Sequence, residues 1–170
     1  IFTSDRMIPV FLYWAPDSSA LAFLATQTDG NSGILRLSKF DGEESQLVDS
    51  GMPLFWAWAP SGKRMLIHSN GARPDSRLAY LRLGDSVIEE GLSVQLAPFQ
   101  APAFSPNGNQ IMFAGITDKG DSALMMLDRT NQRQQIMATY EGKVAFQWSP
   151  RGDHIAFAPS WDFALATQGP

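Results

Sequence analysis

The sequence predicts an all-β chain made of β-propeller blades, each a four-stranded antiparallel sheet, in an incomplete, open array. Three observations carry this expectation. A signature recurs four times, as Tyr13-Trp14-Ala15-Pro16-Asp17, Ala57-Trp58-Ala59-Pro60-Ser61-Gly62, Ala103-Phe104-Ser105-Pro106-Asn107-Gly108 and Gln147-Trp148-Ser149-Pro150-Arg151-Gly152, and its prolines stand 44, 46 and 44 residues apart. A period of that length marks a repeat architecture in which each unit is one supersecondary element. Large apolar residues also keep fixed offsets: Trp14, Trp58, Phe104 and Trp148 two before each proline, and Phe23, Ile67, Phe113 and Phe157 seven after it. Finally, the apolar segments are short, aromatic and bounded by Gly, Pro, Asp and Asn, with no helical period.

Taken in order, each unit reads as four strands. The first (A) covers Val10 to Trp14, Leu54 to Trp58 and Val144 to Trp148, and stops at a proline that cannot donate to a sheet ladder. A glycine-bearing tip supplies the positive φ of a tight hairpin. The second (B) follows at Leu21 to Thr26, Met65 to Ser69, Ile111 to Thr117 and His154 to Ala158. Polar loops lead to the third (C), at Ile34 to Lys39, Leu78 to Leu83 and Ala123 to Asp128. Counted from the prolines, the first three C strands align without a gap, placing Leu35 with Ala79 and Met125, and Leu37 with Leu81 and Leu127. The fourth (D) is expected at Ser45 to Val48 and Gln134 to Thr139, and is ambiguous between Ser86 and Leu96. The blades so defined run 5–49, 50–96, 97–140 and 141–170, the last holding only A and B, while Ile1 to Thr3 reads as the remnant of a preceding D strand. The aromatic columns are expected to be buried between blades. A β-sandwich shares the short strands but gives no reason for the 44-residue register.

The aromatic-Ala/Ser-Pro-Asp/Asn-Gly turn followed by an apolar-Ala-Phe strand resembles the repeat of TolB-like β-propellers, relatives of the WD-type repeat, over essentially the whole chain. It departs from that pattern at Ser18, where glycine is expected, and at Arg151, where Asp or Asn is expected. The resemblance implies an extracytoplasmic or periplasmic scaffold for protein contacts. The incomplete fourth unit, set against the four complete blades that closure needs, gives the expectation of a piece of a longer propeller of six to eight blades.

Composition narrows the chemistry. The 170 residues are 44% hydrophobic and 18% charged, with a net charge of -4 and no Lys/Arg cluster, which sets nucleic acid aside. No apolar run reaches the 18 or so residues of a membrane span. There is no cysteine, and two histidines, His68 and His154, make no metal site. They read as core-satisfied or solvated imidazoles. Glu43-Glu44 and Glu89-Glu90 are adjacent residues on extended chain, so each pair points to opposite faces and forms no carboxylate dyad. Nucleophile elbows, phosphate loops and calcium loops are missing from the sequence. No catalytic residue and no cofactor is therefore expected.

What remains is binding. Rim loops on a rigid scaffold commonly carry function, and Arg73, Trp161 and Phe163 are the candidate contacts there, because arginine and aromatics are typical interface anchors. The expectation is a non-enzymatic module for a protein, peptide or saccharide partner. Self-association through open blade edges is a further expected contact. The alternative is a propeller that gates a prolyl-oligopeptidase-like serine peptidase whose catalytic domain lies outside this chain.

Overall fold

The structure is a computed structural model that describes residues 7–27, 33–39, 45–71, 73–84, 86–98 and 101–160. Fourteen strands and no helix are found among the described residues, so none of these contains a helix long and apolar enough to cross a membrane. The first sheet orders β1 (Met7–Trp14), β2 (Ala20–Gln27), β3 (Gly33–Lys39) and β4 (Gln46–Gly51) side by side. The second repeats this with β5 (Leu54–Trp58), β6 (Arg64–Ser69), β7 (Arg77–Arg82) and β8 (Ile88–Gly91). The third comprises β9 (Ala103–Phe104), β10 (Gln110–Ile116), β11 (Ser122–Asp128) and β12 (Gln134–Thr139), and the fourth pairs β13 (Lys143–Trp148) with β14 (Ile155–Ser160). Every ladder is antiparallel between chain neighbours, which is the meander of a propeller blade. The ambiguous D strand of the second unit is β8, four residues long and exposed at each of them. The expected remnant at Ile1 to Thr3 lies outside the described residues.

The sheets stack face to face because successive side chains of a strand leave it in opposite directions. On β6, Met65 and Ile67 join Ala20, Ala22, Leu35 and Leu37 of the first sheet in one core. Leu66, between them, joins Ile111, Phe113 and Met125 of the third sheet in the next. Ala114 on β10 turns instead to Val144 and Phe146 of the fourth.

Two expectations are corrected. The C strands do not share one register: Phe23 pairs with Arg36, whereas the equivalent Ile67 and Phe113 pair with Ala79 and Met125. The first unit therefore carries one additional residue between B and C. A one-residue slip exchanges the two faces of a strand, so Leu35 and Leu37 take the places of Leu78 and Tyr80 rather than of Ala79 and Leu81. The aromatic columns, too, are not uniformly buried. Phe104, Phe23, Ile67 and Phe113 are buried and Trp58 and Trp148 half-buried, but Trp14 is 55% and Phe157 46% exposed. Trp14 pairs with Leu21 and shares its face, the one turned away from the second sheet, and no sheet among the described residues covers that face. Phe157 belongs to a sheet with only two strands among the described residues.

The A-B turns interlock. In the first, Ser18 adopts φ 60°, the left-handed conformation for which glycine was expected. Its neighbour Asp17 accepts hydrogen bonds from the Ser19 amide (3.0 Å) and hydroxyl (2.6 Å). The hydroxyl bond is the main reason that the Asp17 carboxyl lies below its ordinary 3.8. In the fourth turn Arg151 cannot accept such a bond. Asp153 takes over, receiving Ser149 Oγ at 2.8 Å and pairing with Arg151 (2.7 Å) and His154 (2.9 Å). Its carboxyl is lowered as well, first by the His154 contact.

Candidate binding surface

The first strands of two sheets and the segment leading into the third converge. Phe11, Phe55 and Ala101 all stand five residues before the proline of their unit, and they meet around one cleft of about 250 Å³ completed by Tyr13, Leu24, Leu54 and Trp56. Registry explains the assembly. Phe11 and Tyr13 pair with Leu24 and Ala22, whose side chains face the second sheet, so both rings turn to that side of β1. Trp56 pairs with Ile67, on the face of β5 that looks back at the first sheet. Tyr13 and Trp56 consequently meet edge to face, with centroids 5.6 Å apart at 79°. The indole of Trp58 locks the same junction by donating from Nε1 to the Tyr13 carbonyl at 3.2 Å.

None of the described residues lining the cleft is charged, and Phe11 and Tyr13 remain 56% and 58% exposed. Along β1, Ile8, Val10, Leu12 and Trp14 are exposed as well. β1 is also a sheet edge, softened only by Pro9 and by a register shift between Pro9 and Phe11. Contiguous exposed apolar surface of this kind marks interaction sites, and an apolar concavity with neighbouring unpaired backbone suits an extended chain.

The sequence pointed elsewhere. Arg73 lies exposed in the turn after β6, and its amide donates to the Asn70 carbonyl at 3.2 Å. The turn is pinned to the loop before β5 by Asn70, which accepts from the Met52 amide and donates to the Pro53 carbonyl. Because Ser69 pairs with Leu54, Arg73 sits at the cleft end of the second sheet without lining the cleft. Trp161 and Phe163 lie outside the described residues. His68 is buried, with Nε2 3.4 Å from the Gly71 carbonyl, while His154 is exposed beside Asp153. Glu89 pairs with Arg77 at 3.0 Å, and Glu43 and Glu44 fall outside the described residues. Among the described residues no three His, Cys, Asp or Glu side chains could share a metal ion. The columns two before and seven after the proline carry no sign of the cleft. The column five before it, with Phe, Phe and Ala, held the signal.

No family model matches the sequence, and no curated protein matches it. Solved structures do. A protein described as a TolB from Agrobacterium tumefaciens superposes with a TM-score of 0.69 at 20% identity, over 91% of this chain and 56% of that one. TolB from Acinetobacter baumannii gives 0.57 at 15%, over 90% and 49%. The β-propeller domain of the Trilobed protease from Pyrococcus furiosus, which has an open velcro topology, gives 0.62 at 9%, over 85% and 46%. The chain spans about half the length of these structures. With its repeated four-stranded sheets and this likeness, the chain is an open run of β-propeller blades of the architecture seen in TolB.

Proposed function

We propose that this chain is a non-enzymatic binding module that holds a protein or peptide partner at the cleft between β1 and β5. The single observation behind it is the convergence of Phe11, Phe55 and Ala101, one repeat position in three units, on a cleft whose described lining residues are uncharged, beside an exposed edge. A volume of about 250 Å³ suits one large aliphatic or aromatic anchor side chain. An extended segment carrying that anchor would hydrogen-bond along β1. Saccharide binding is less well served, since among the described lining residues Tyr13 supplies the only side-chain polar group besides the Trp56 indole N–H. Arg73 is a secondary rim contact in this reading, and Trp161 and Phe163 keep the same role as proposals. Exposed apolar edges also support self-association of the chain. The peptidase-gating alternative has the fold likeness to the Pyrococcus furiosus domain but no feature of the cleft that favours it.

Panning a displayed peptide library against the chain tests the proposal. Enriched peptides should share one apolar anchor and lose binding to the Phe11→Asp variant, whose charge would sit unpaired in the cleft. Peptides that bind this variant as well as the parent would place the binding surface elsewhere.

A further inference from the structure

Two grooves between neighbouring sheets are built from equivalent residues but are filled differently. Each is walled by the aromatic two before the proline (Phe104 or Trp58), by the glycine of the A-B turn (Gly108 or Gly62), by a C-strand residue (Tyr80 or Leu37) and by the residue just past the next C strand (Arg129 or Leu83). Hydrogen bonding establishes the equivalence. The Arg129 amide donates to the Asn109 carbonyl at 2.9 Å, and the Leu83 amide donates to the Lys63 carbonyl at 3.2 Å. Tyr80 pairs with Leu66 and Leu37 with Ala22, each six residues after its proline.

Between the second and third sheets the groove holds a guanidinium. Cζ of Arg129 lies 4.8 Å from the ring centroid of Tyr80 and 5.4 Å from that of Phe104. The two rings are stacked with centroids 6.0 Å apart, and Nη1 of Arg129 donates to the Gly108 carbonyl. A weakly hydrated planar cation against aromatic rings is a favourable arrangement. Between the first and second sheets Leu83 stands where Arg129 does, and the groove is an open cleft of about 290 Å³ lined by Leu37, Trp58, Gly62 and Leu83, with Asp17 and Lys63 at its mouth.

We infer that this cleft binds the guanidinium of an arginine side chain presented by a partner chain. Trp58 replaces Phe104 with the aromatic ring that attracts cations most strongly. The Gly62 carbonyl stands at the position of the Gly108 acceptor. Asp17 adds a carboxylate where the second groove has Ser61, and a carboxylate can accept a guanidinium through two parallel bonds. Its bonds from Ser19 hold that carboxylate in place and favour its ionised form. Lys63 is the one cation among the described lining residues and competes for Asp17. The site is separate from the cleft between β1 and β5, with which it shares no lining residue.

Titrating the ¹⁵N-labelled chain with N-acetyl-L-arginine amide, while following the Trp58 indole N–H signal, tests this. Free L-arginine, N-acetyl-L-lysine amide and N-acetyl-L-citrulline amide form parallel arms. The arginine amide should give a saturable shift in the millimolar range and the uncharged citrulline amide none. Asp17→Asn should weaken binding by roughly fivefold or more, Lys63→Ala should tighten it, and Leu83→Arg should abolish it by supplying the guanidinium from within. Unmoved remaining signals show that these variants fold. Equal binding of the citrulline amide, unchanged affinity in the Leu83→Arg variant, or no saturable response to the arginine amide would overturn the inference. Free arginine binding about tenfold tighter than its amide would overturn the partner-chain source and leave an amino-acid site.

Discussion

Trp58 joins two sheets in two ways: its ring packs against the core shared by the first and second sheets, and its Nε1 donates to the Tyr13 carbonyl. Trp14 occupies the same repeat position but is 55% exposed. Trp58→Ala should therefore cost about 3 to 5 kcal/mol, and Trp14→Ala about 1 kcal/mol, read as shifts in the urea midpoint at constant slope. Gly62 offers a sharper comparison. Its φ is +71°, and a Cβ there would lie 2.4 Å from the Asp17 Cγ, whereas one on Gly108, at φ +72°, would meet Pro60 at an ordinary 3.5 Å. Both alanine variants pay the left-handed strain of about 1 kcal/mol, and Gly62→Ala should lose more. Adding Asp17→Ala should restore that excess, a non-additivity visible in a double-mutant cycle. Asp17 itself should titrate below 3.8, mainly through the Ser19 hydroxyl. Because its folded pKa is depressed, the stability it lends is present above the unfolded value and is lost as pH falls through the folded one. A carboxyl NMR titration should show Ser19→Ala raising the Asp17 midpoint towards 3.8.

At the level of elements, β4 of the first sheet is tied to β7 of the second by Asp49 and Arg77, 2.5 Å apart, with Glu89 of β8 on the other side of the guanidinium at 3.0 Å. The Asp49 side chain is only 10% exposed, so removing its partner leaves a carboxylate short of compensation. Arg77→Met should destabilise by about 2 kcal/mol, between the values for exposed and for fully buried pairs. Asp49→Asn combined with Arg77→Met should cost less than the sum of the two, by the same urea measurement. The C strands show why register escapes a count along the chain. Ile34, Leu78 and Leu124 line up from the prolines, yet it is Leu35 that pairs across from Leu24 while Leu78 pairs with His68. β7 and β11 carry apolar residues on both faces, so they offer no alternation against which to align β3, where Leu35 and Leu37 alternate with Arg36 and Ser38. The weak D strand of the second unit had the opposite difficulty: Ile88–Gly91 is exposed throughout and carries no apolar pattern.

For the whole molecule, the exposed apolar row along the β1 edge is the feature with a measurable consequence in solution. An uncharged edge strand is a template for pairing with another chain. Sedimentation velocity across a concentration series should show reversible association, and Leu12→Lys, on the exposed edge strand, should shift it towards the monomer. A monomer at every concentration for both proteins would mean that the edge is covered.

The four-fold signature at Pro16, Pro60, Pro106 and Pro150 was enough, by itself, to determine the fold class, the hairpins at each glycine tip and most strand positions, because period, turn chemistry and strand composition are local properties of the chain. The departures at Ser18 and Arg151 were legible as turn features, and the structure accommodates both at the turns. Which aromatics are covered, and which line a site, only the tertiary structure decided. Trp14 and Trp58 hold one place in the repeat but differ in having a neighbouring sheet, and Phe11, Phe55 and Ala101 lie 44 to 46 residues apart in sequence yet share one cleft. Burial and convergence depend on what the stacking of separate sheets brings near, and no local pattern in the chain carries that information.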